Sequence, residues 1–129
     1  MFRIRREQMD TLAKSASADY RRRLKEWLVA EFPESFEGLD QGDIDAWVDD
    51  AVTRSEGHGI ALERETTQLV ALYLLLGLDA DEALPWFKEA LSDSDLIAEG
   101  KVRKLLESAR REGVEGVDRV DILSDERAA

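Results

Sequence analysis

Apolar residues recur along this chain in steps of three and four, the spacing of one helix face, and almost never in the alternation of a strand. Met9, Leu12, Ala13, Ala16, Tyr20, Leu24, Trp27 and Leu28 share a face of a first helix over residues 5–31. Arg21, Arg22 and Arg23 fall mostly on the opposite side. Phe32-Pro33 ends this helix, because the residue before proline is pushed out of the α region. Residues 33–42 read as a connecting loop. A second helix spans residues 43–55, with Asp43 as its cap and Ile44, Trp47, Val48, Ala51 and Val52 turned inward. Asp45, Asp49 and Asp50 then face water.

The stretch "LVALYLLLGL" is apolar nearly all round, which predicts a buried central helix over residues 62–76, stopped by Gly77. A short fourth helix starts near Leu84-Pro85, where proline suits the first turn, and carries Trp86, Phe87, Ala90 and Leu91. A fifth covers residues 96–112, with Val102, Leu105, Leu106 and Ala109 facing in and Gly113 after its end. The pattern predicts an all-α helical domain of about five helices over residues 1–113. Residues 114–129 form an acidic tail with two readings: a flexible segment, or one that docks through Val117, Val120, Ile122 and Leu123.

Composition narrows the chemistry. A chain of 129 residues is long enough to bury a core without metal or disulfide staples. It has no cysteine and one histidine, which excludes disulfides, thiolate zinc, a cysteine nucleophile and multi-histidine metal sites. No apolar run reaches the ~20 residues that span a bilayer, and "MFRIRREQMD" lacks the apolar core of a signal peptide. The expectation is a cytoplasmic protein with no membrane insertion.

Charge is uneven. Residues 1–30 carry eight Lys/Arg against four Asp/Glu, residues 31–100 three against eighteen, and residues 101–129 seven of each. An acidic middle repels phosphates, so no nucleic-acid partner is expected. It serves either as a solubilising surface or as a face for a basic partner.

Candidate chemistry is sparse. His58 sits between Gly57 and Gly59, with Glu56 and Glu63 nearby as possible orienting carboxylates. A turn explains the stretch more simply: one glycine ends the second helix in the left-handed conformation, and the other lets the chain reverse. The acid pairs at Asp79-Ala80-Asp81-Glu82 and Asp93-Ser94-Asp95 do not place ligands at the positions an EF-hand requires, and helix caps account for both. No Walker loop is present. Tyr20, Trp27, Trp47, Tyr73, Trp86 and Phe87 read as core. Phe32, Phe36 and Leu39 flank or occupy the loop after the first helix and, if exposed, form an apolar partner contact.

The opening "MFRIRREQMDTLAKSA", then "EFPE", the "GHGI" turn followed by Glu63, and "LYLLLGLD" occur in an order that resembles a family of short helical bacterial proteins. Those proteins are encoded beside the spike and effector genes of type VI secretion systems. The resemblance covers roughly residues 1–110 and leaves the tail outside. Family members more often have tyrosine at the position of His58, which implies that this histidine is a tolerated replacement. The chain departs from the pattern at Ala61-Leu62, where a polar helix cap is expected. The resemblance implies an accessory role with no enzymatic motif and no cofactor.

The expected function is therefore a non-enzymatic interaction module, an adaptor or chaperone for a spike or effector protein. Its partner surface is drawn from Phe32, Phe36, Leu39, Asp45, Asp49 and Asp50. The alternatives are an immunity protein whose acidic face neutralises a toxin, and a small enzyme using His58 or a carboxylate pair. Oligomeric state is left open.

Overall fold

A computed structural model describes residues 17–120. It is all-α, and the described residues contain no strand. In chain order the elements are α1 (Ala18–Glu31), a 3₁₀ turn η1 (Pro33–Phe36), α2 (Gln41–Gly57), α3 (Glu63–Leu76), the single turn α4 (Ala80–Ala83), α5 (Pro85–Ser92) and α6 (Ala98–Arg111). Their contacts divide the chain into two compact units, Met1–Thr67 and Gln68–Ala129, with the boundary inside α3.

In the first unit, α1 begins at Ser17, whose hydroxyl accepts the Tyr20 N–H at 3.0 Å. Tyr20, Leu24 and Leu28 repeat every fourth residue and are all buried. Met9, Leu12, Ala13 and Ala16 of the expected first helix lie outside the described residues. At the far end the Phe32 N–H donates to the Leu28 carbonyl at 2.8 Å before Pro33 turns the chain. The loop expected over residues 33–42 is more ordered than its composition suggested. Pro33 opens η1, and Phe36 drops into the core from its last position.

Helix α2 starts earlier than predicted. Its N-cap is Asp40, whose carboxylate accepts the Asp43 N–H at 2.8 Å, so Asp43 is a first-turn residue rather than the cap. Ile44, Val48, Ala51, Val52 and Ser55 form the buried stripe, and Trp47 is only half-buried. The helix ends in a Schellman motif. The Gly59 N–H donates to the Glu56 carbonyl at 2.9 Å, and the Ile60 N–H donates to the Ser55 carbonyl at 3.0 Å. Of the two glycines, only Gly59 has positive φ, at 78°, while Gly57 is still helical. Ile60 is fully buried beyond the turn.

Helix α3 carries a run of five fully buried residues, 69–73, as its all-round apolarity predicts. Leu74, Leu75 and Leu76 are half-buried. In the second unit the Tyr73 hydroxyl donates to the buried Asp81 carboxylate at 2.8 Å, and its ring stacks on Phe87 with centroids 5.5 Å apart. Asp81 is therefore a core acceptor rather than a helix cap. Asp93 also has another job, accepting the Asp95 N–H at 3.0 Å and the Lys104 ammonium at 3.3 Å. Val102, Leu105, Leu106 and Ala109 of α6 are buried as expected. Gly113, at φ 75°, closes a second Schellman motif: its N–H donates to the Arg110 carbonyl at 3.2 Å, and the Val114 N–H to the Ala109 carbonyl at 3.0 Å. Residues 117–120 are helical, and Val117 and Val120 are buried. Ile122 and Leu123 lie outside the described residues.

Candidate partner surface

The basic run on α1 and the acidic run on α2 are each other's partners. Arg21 donates to Asp49 at 2.9 Å, and Lys25 reaches Asp45 at 2.9 Å and the Gln41 side-chain oxygen at 3.2 Å. Position rises along α1 as it falls along α2, so the two helices run antiparallel. A shallow groove of about 450 Å³ follows this seam, lined by Ala18, Arg21, Arg22, Lys25, Asp45, Val48 and Asp49. Its charges are largely matched within the groove. Arg22 turns instead to Asp19 at 2.7 Å and Glu26 at 3.4 Å, and Arg23 bridges Asp19 at 2.9 Å and Glu63 at 3.1 Å.

This arrangement revises the surface expected from sequence. Asp45 and Asp49 are exposed, but each is committed to a cation of α1, and only Asp50 of the three has no salt bridge among the described residues. Phe32 and Phe36 are 1% and 7% exposed, so neither is available to a partner. The physical reason is the η1 turn: it folds the chain back immediately after α1 and turns both rings inward. The Phe32 ring meets Trp27 edge-on with centroids 6.0 Å apart. Leu39 alone of the expected apolar trio remains outside, at 45% exposure.

The structure adds apolar side chains that periodicity did not single out. Val29 is 36% exposed near the end of α1, Leu62 stands exposed before α3, and Ile97 is 77% exposed before α6. Trp27, Trp47 and Trp86, expected in the core, are half-buried at its margin. A second groove of about 420 Å³ is lined by residues that include Asp93, Leu96, Gly100, Arg103, Lys104 and Arg111. Several charges there are internally paired, Lys104 with Asp93 and Glu89, and Arg103 with Glu99.

His58 is the C-cap of α2 and is half-buried. Its backbone N–H donates to the Ser55 carbonyl at 3.0 Å. Among the described residues no group of three or more His, Asp or Glu side chains is placed to hold a metal ion. No helix of the described residues is long and apolar enough to cross a membrane.

Two carboxylates are held below the usual carboxylate range. Asp19 is held there by hydrogen bonds from the Arg22 and Arg23 guanidinium groups, and Asp93 by the Asp95 N–H and then by Lys104. The phenol of Tyr20 is pushed far up, chiefly by burial. Sequence reading missed the buried polar residues Ser55, Glu65, Thr66, Gln68, Asp81 and Ser108. Ser55 had a readable signal, because serine on an apolar helix face often bonds back to the carbonyl one turn earlier. Ser55 donates to the Ala51 carbonyl at 3.1 Å and Thr66 to the Ile60 carbonyl at 3.3 Å. Glu65 pairs with its neighbour Arg64 at 2.8 Å.

No protein-family model, curated protein or solved structure matches this chain.

Proposed function

We propose that this protein is a non-enzymatic protein–protein interaction module, acting as an adaptor or chaperone for a spike or effector protein of a type VI secretion system. The observation that supports a binding role is the exposed Leu39. The chain buries Phe32, just before the η1 turn, and Phe36, its last residue, and leaves this large aliphatic side chain in water three residues later. The secretion context rests on the resemblance carried by "MFRIRREQMDTLAKSA", "EFPE", "GHGI" and "LYLLLGLD". Cytoplasmic location belongs to the same reading.

Affinity purification of the tagged full chain from its native cell, followed by mass spectrometry and reciprocal capture, tests it. Stoichiometric recovery of a spike or effector protein is the expected result. Recovery of a toxin, with rescue of growth when the two are co-expressed, would replace the adaptor role by immunity. Absence of any reciprocal partner would end the binding reading.

A further inference from the structure

We infer that the surface around Leu39 docks a basic amphipathic segment of a partner protein, its apolar anchor seated against Val29 and Leu39 and its Lys or Arg side chains facing Glu37 and Asp43. This rests on the protein-binding reading above and gives it a location and a partner chemistry.

The geometry comes from the antiparallel seam. Lys25 touches Gln41, the first residue of α2. Val29 stands one turn farther along the same ridge of α1 as Arg21 and Lys25. Advancing one turn along α1 corresponds to moving back past the start of α2, into residues 37–40. Val29, one turn beyond Lys25, and Leu39, two residues before Gln41, both follow the Lys25–Gln41 contact at that end of the seam, and both are exposed apolar side chains. The Leu39 N–H donates to the Phe36 carbonyl at 3.2 Å, which anchors its backbone to the ordered η1 turn. An apolar side chain carried on an anchored backbone turn costs less ordering on binding than one on a free loop.

Charge selects the occupant. Residues 26–53 contain nine Asp/Glu and no Lys or Arg. Asp45, Asp49 and Glu26 are matched by Lys25, Arg21 and Arg22, the Asp40 carboxylate is used in capping α2, and Glu31 and Glu34 have interactions of their own. Glu37 and Asp43 remain exposed and form no salt bridge among the described residues. Asp43 suits the positive end of the α2 dipole, whereas Glu37 has no such local reason to be acidic. An acidic partner would be repelled here, and a neutral apolar one would leave this charge unmatched. A basic segment with an aliphatic or aromatic anchor satisfies both features, the anchor supplying affinity and the charges supplying rate and orientation. Asp50 lies roughly 10 Å farther along α2 and falls outside this surface.

The test uses the full chain, ¹⁵N-labelled, titrated with a synthetic Leu/Lys amphipathic helical peptide of about 18 residues. Two control peptides replace Lys by Glu, or Leu by Ser. Amide shifts concentrated at residue 29 and residues 37–43 are expected for the Leu/Lys peptide alone. Leu39→Ser should weaken its binding about tenfold, as for a central anchor. Glu37→Gln with Asp43→Asn should weaken it about threefold at low salt, and the difference should vanish near ~0.5 M salt. Circular dichroism of each variant checks that the fold is kept. Shifts centred elsewhere, binding of Leu39→Ser within about twofold of wild type, or equal binding of the Glu-substituted peptide would each overturn the inference. If Leu39→Ser still captures the cellular partner at wild-type yield, the binding role stands and this surface is wrong. If neither peptide nor cellular partner binds, both readings fail.

Discussion

The hydroxyl of Tyr20 on α1 lies 2.8 Å from the Thr67 hydroxyl and 3.3 Å from the Glu63 carbonyl on α3, while Thr67 itself stands 2.8 Å from that same carbonyl. A buried phenol on one helix is thereby tied to the first turn of another. Burial raises the Tyr20 pKa far above its ordinary value of 10.0, with the nearby Glu63 charge adding to the effect and the Thr67 hydrogen bond opposing it. A raised folded-state pKa gives stability that is fully present below the unfolded value and lost as pH rises above it. Denaturation midpoints should therefore be flat through neutral pH and fall once pH exceeds about 10. Tyr20→Phe should remove part of that alkaline sensitivity and cost about 1 kcal/mol at neutral pH. Absorbance titration of the two variants and urea melts at several pH values measure both effects.

Acid should act through a different set of groups. Asp19 and Asp93 have depressed folded-state pKa values, so their contributions are present above the ordinary carboxylate value of 3.8 and lost as pH falls through the lower folded ones. Stability followed by circular dichroism should decline below about pH 4. Asp93→Asn should flatten that decline, since it removes the titrating carboxylate that accepts from the Asp95 N–H and Lys104. An acid limb unchanged by the substitution would assign the decline to other carboxylates.

Gly57 and Gly59 should respond in opposite directions to alanine. Gly57 is helical, and a Cβ there meets nothing within 4 Å. Gly57→Ala should raise stability by about 0.5–1 kcal/mol. Gly59 also has open space, but its φ of 78° strains any L side chain. Gly59→Ala should cost about 1 kcal/mol, and Gly59→Val more. His58→Ala, at the half-buried cap between them, should change the melt by less than either. Thermal melts of the variants give the order.

Within α3 the burial difference between Leu72 and Leu75 should appear as a difference in damage. Leu72 is fully buried, so Leu72→Asp places an unpaired carboxylate in the core and should abolish the cooperative melt. Leu75 is half-buried, and Leu75→Asp should retain a folded state with a lowered midpoint. Equal loss in both variants would contradict the burial pattern.

The α1–α2 ion pairs should contribute modestly. Asp45→Asn and Asp49→Asn should each cost between 0 and about 1 kcal/mol, because both carboxylates are well exposed, and less at high salt. Asp50→Asn, with no salt bridge among the described residues, should stay within about 0.5 kcal/mol of wild type. Urea melts of the single variants, with Arg21→Gln and Lys25→Gln closing double-mutant cycles, separate pair energy from bulk charge.

Helical class and most helix boundaries were legible because they rest on periodicity, a local property. The buried stripes of α2 and α6, and the arrest of α6 before Gly113, follow from spacing and glycine placement alone. What lay beyond the sequence was mostly tertiary. Phe32 and Phe36 sit in a hydrophilic stretch, and only the η1 turn reveals that both point inward. Asp45 and Asp49 face away from the core on their own helix, as predicted, yet the cations that meet them lie 20 and 28 residues earlier in the chain. Asp81 reads as a cap from its neighbours and becomes a core acceptor only once Tyr73 is brought to it. The cap shifted from Asp43 to Asp40 because two candidate acids stood three residues apart, and composition does not choose between them.

The acidic stretch between Lys25 and Arg54 has a further consequence, for cleavage of the backbone. Trypsin finds no site across the whole of η1 and most of α2, so this segment leaves the protein as one long fragment. The basic residues that bound the α1 side, Arg21 and Lys25, are the ones that hold Asp49 and Asp45. A protease that must first pull these side chains into its own pocket competes with the seam itself. The rate of cutting after Lys25, told apart by fragment mass from cuts after Arg22 and Arg23, thus becomes a reporter of how often the two helices part, readable without any label on the chain.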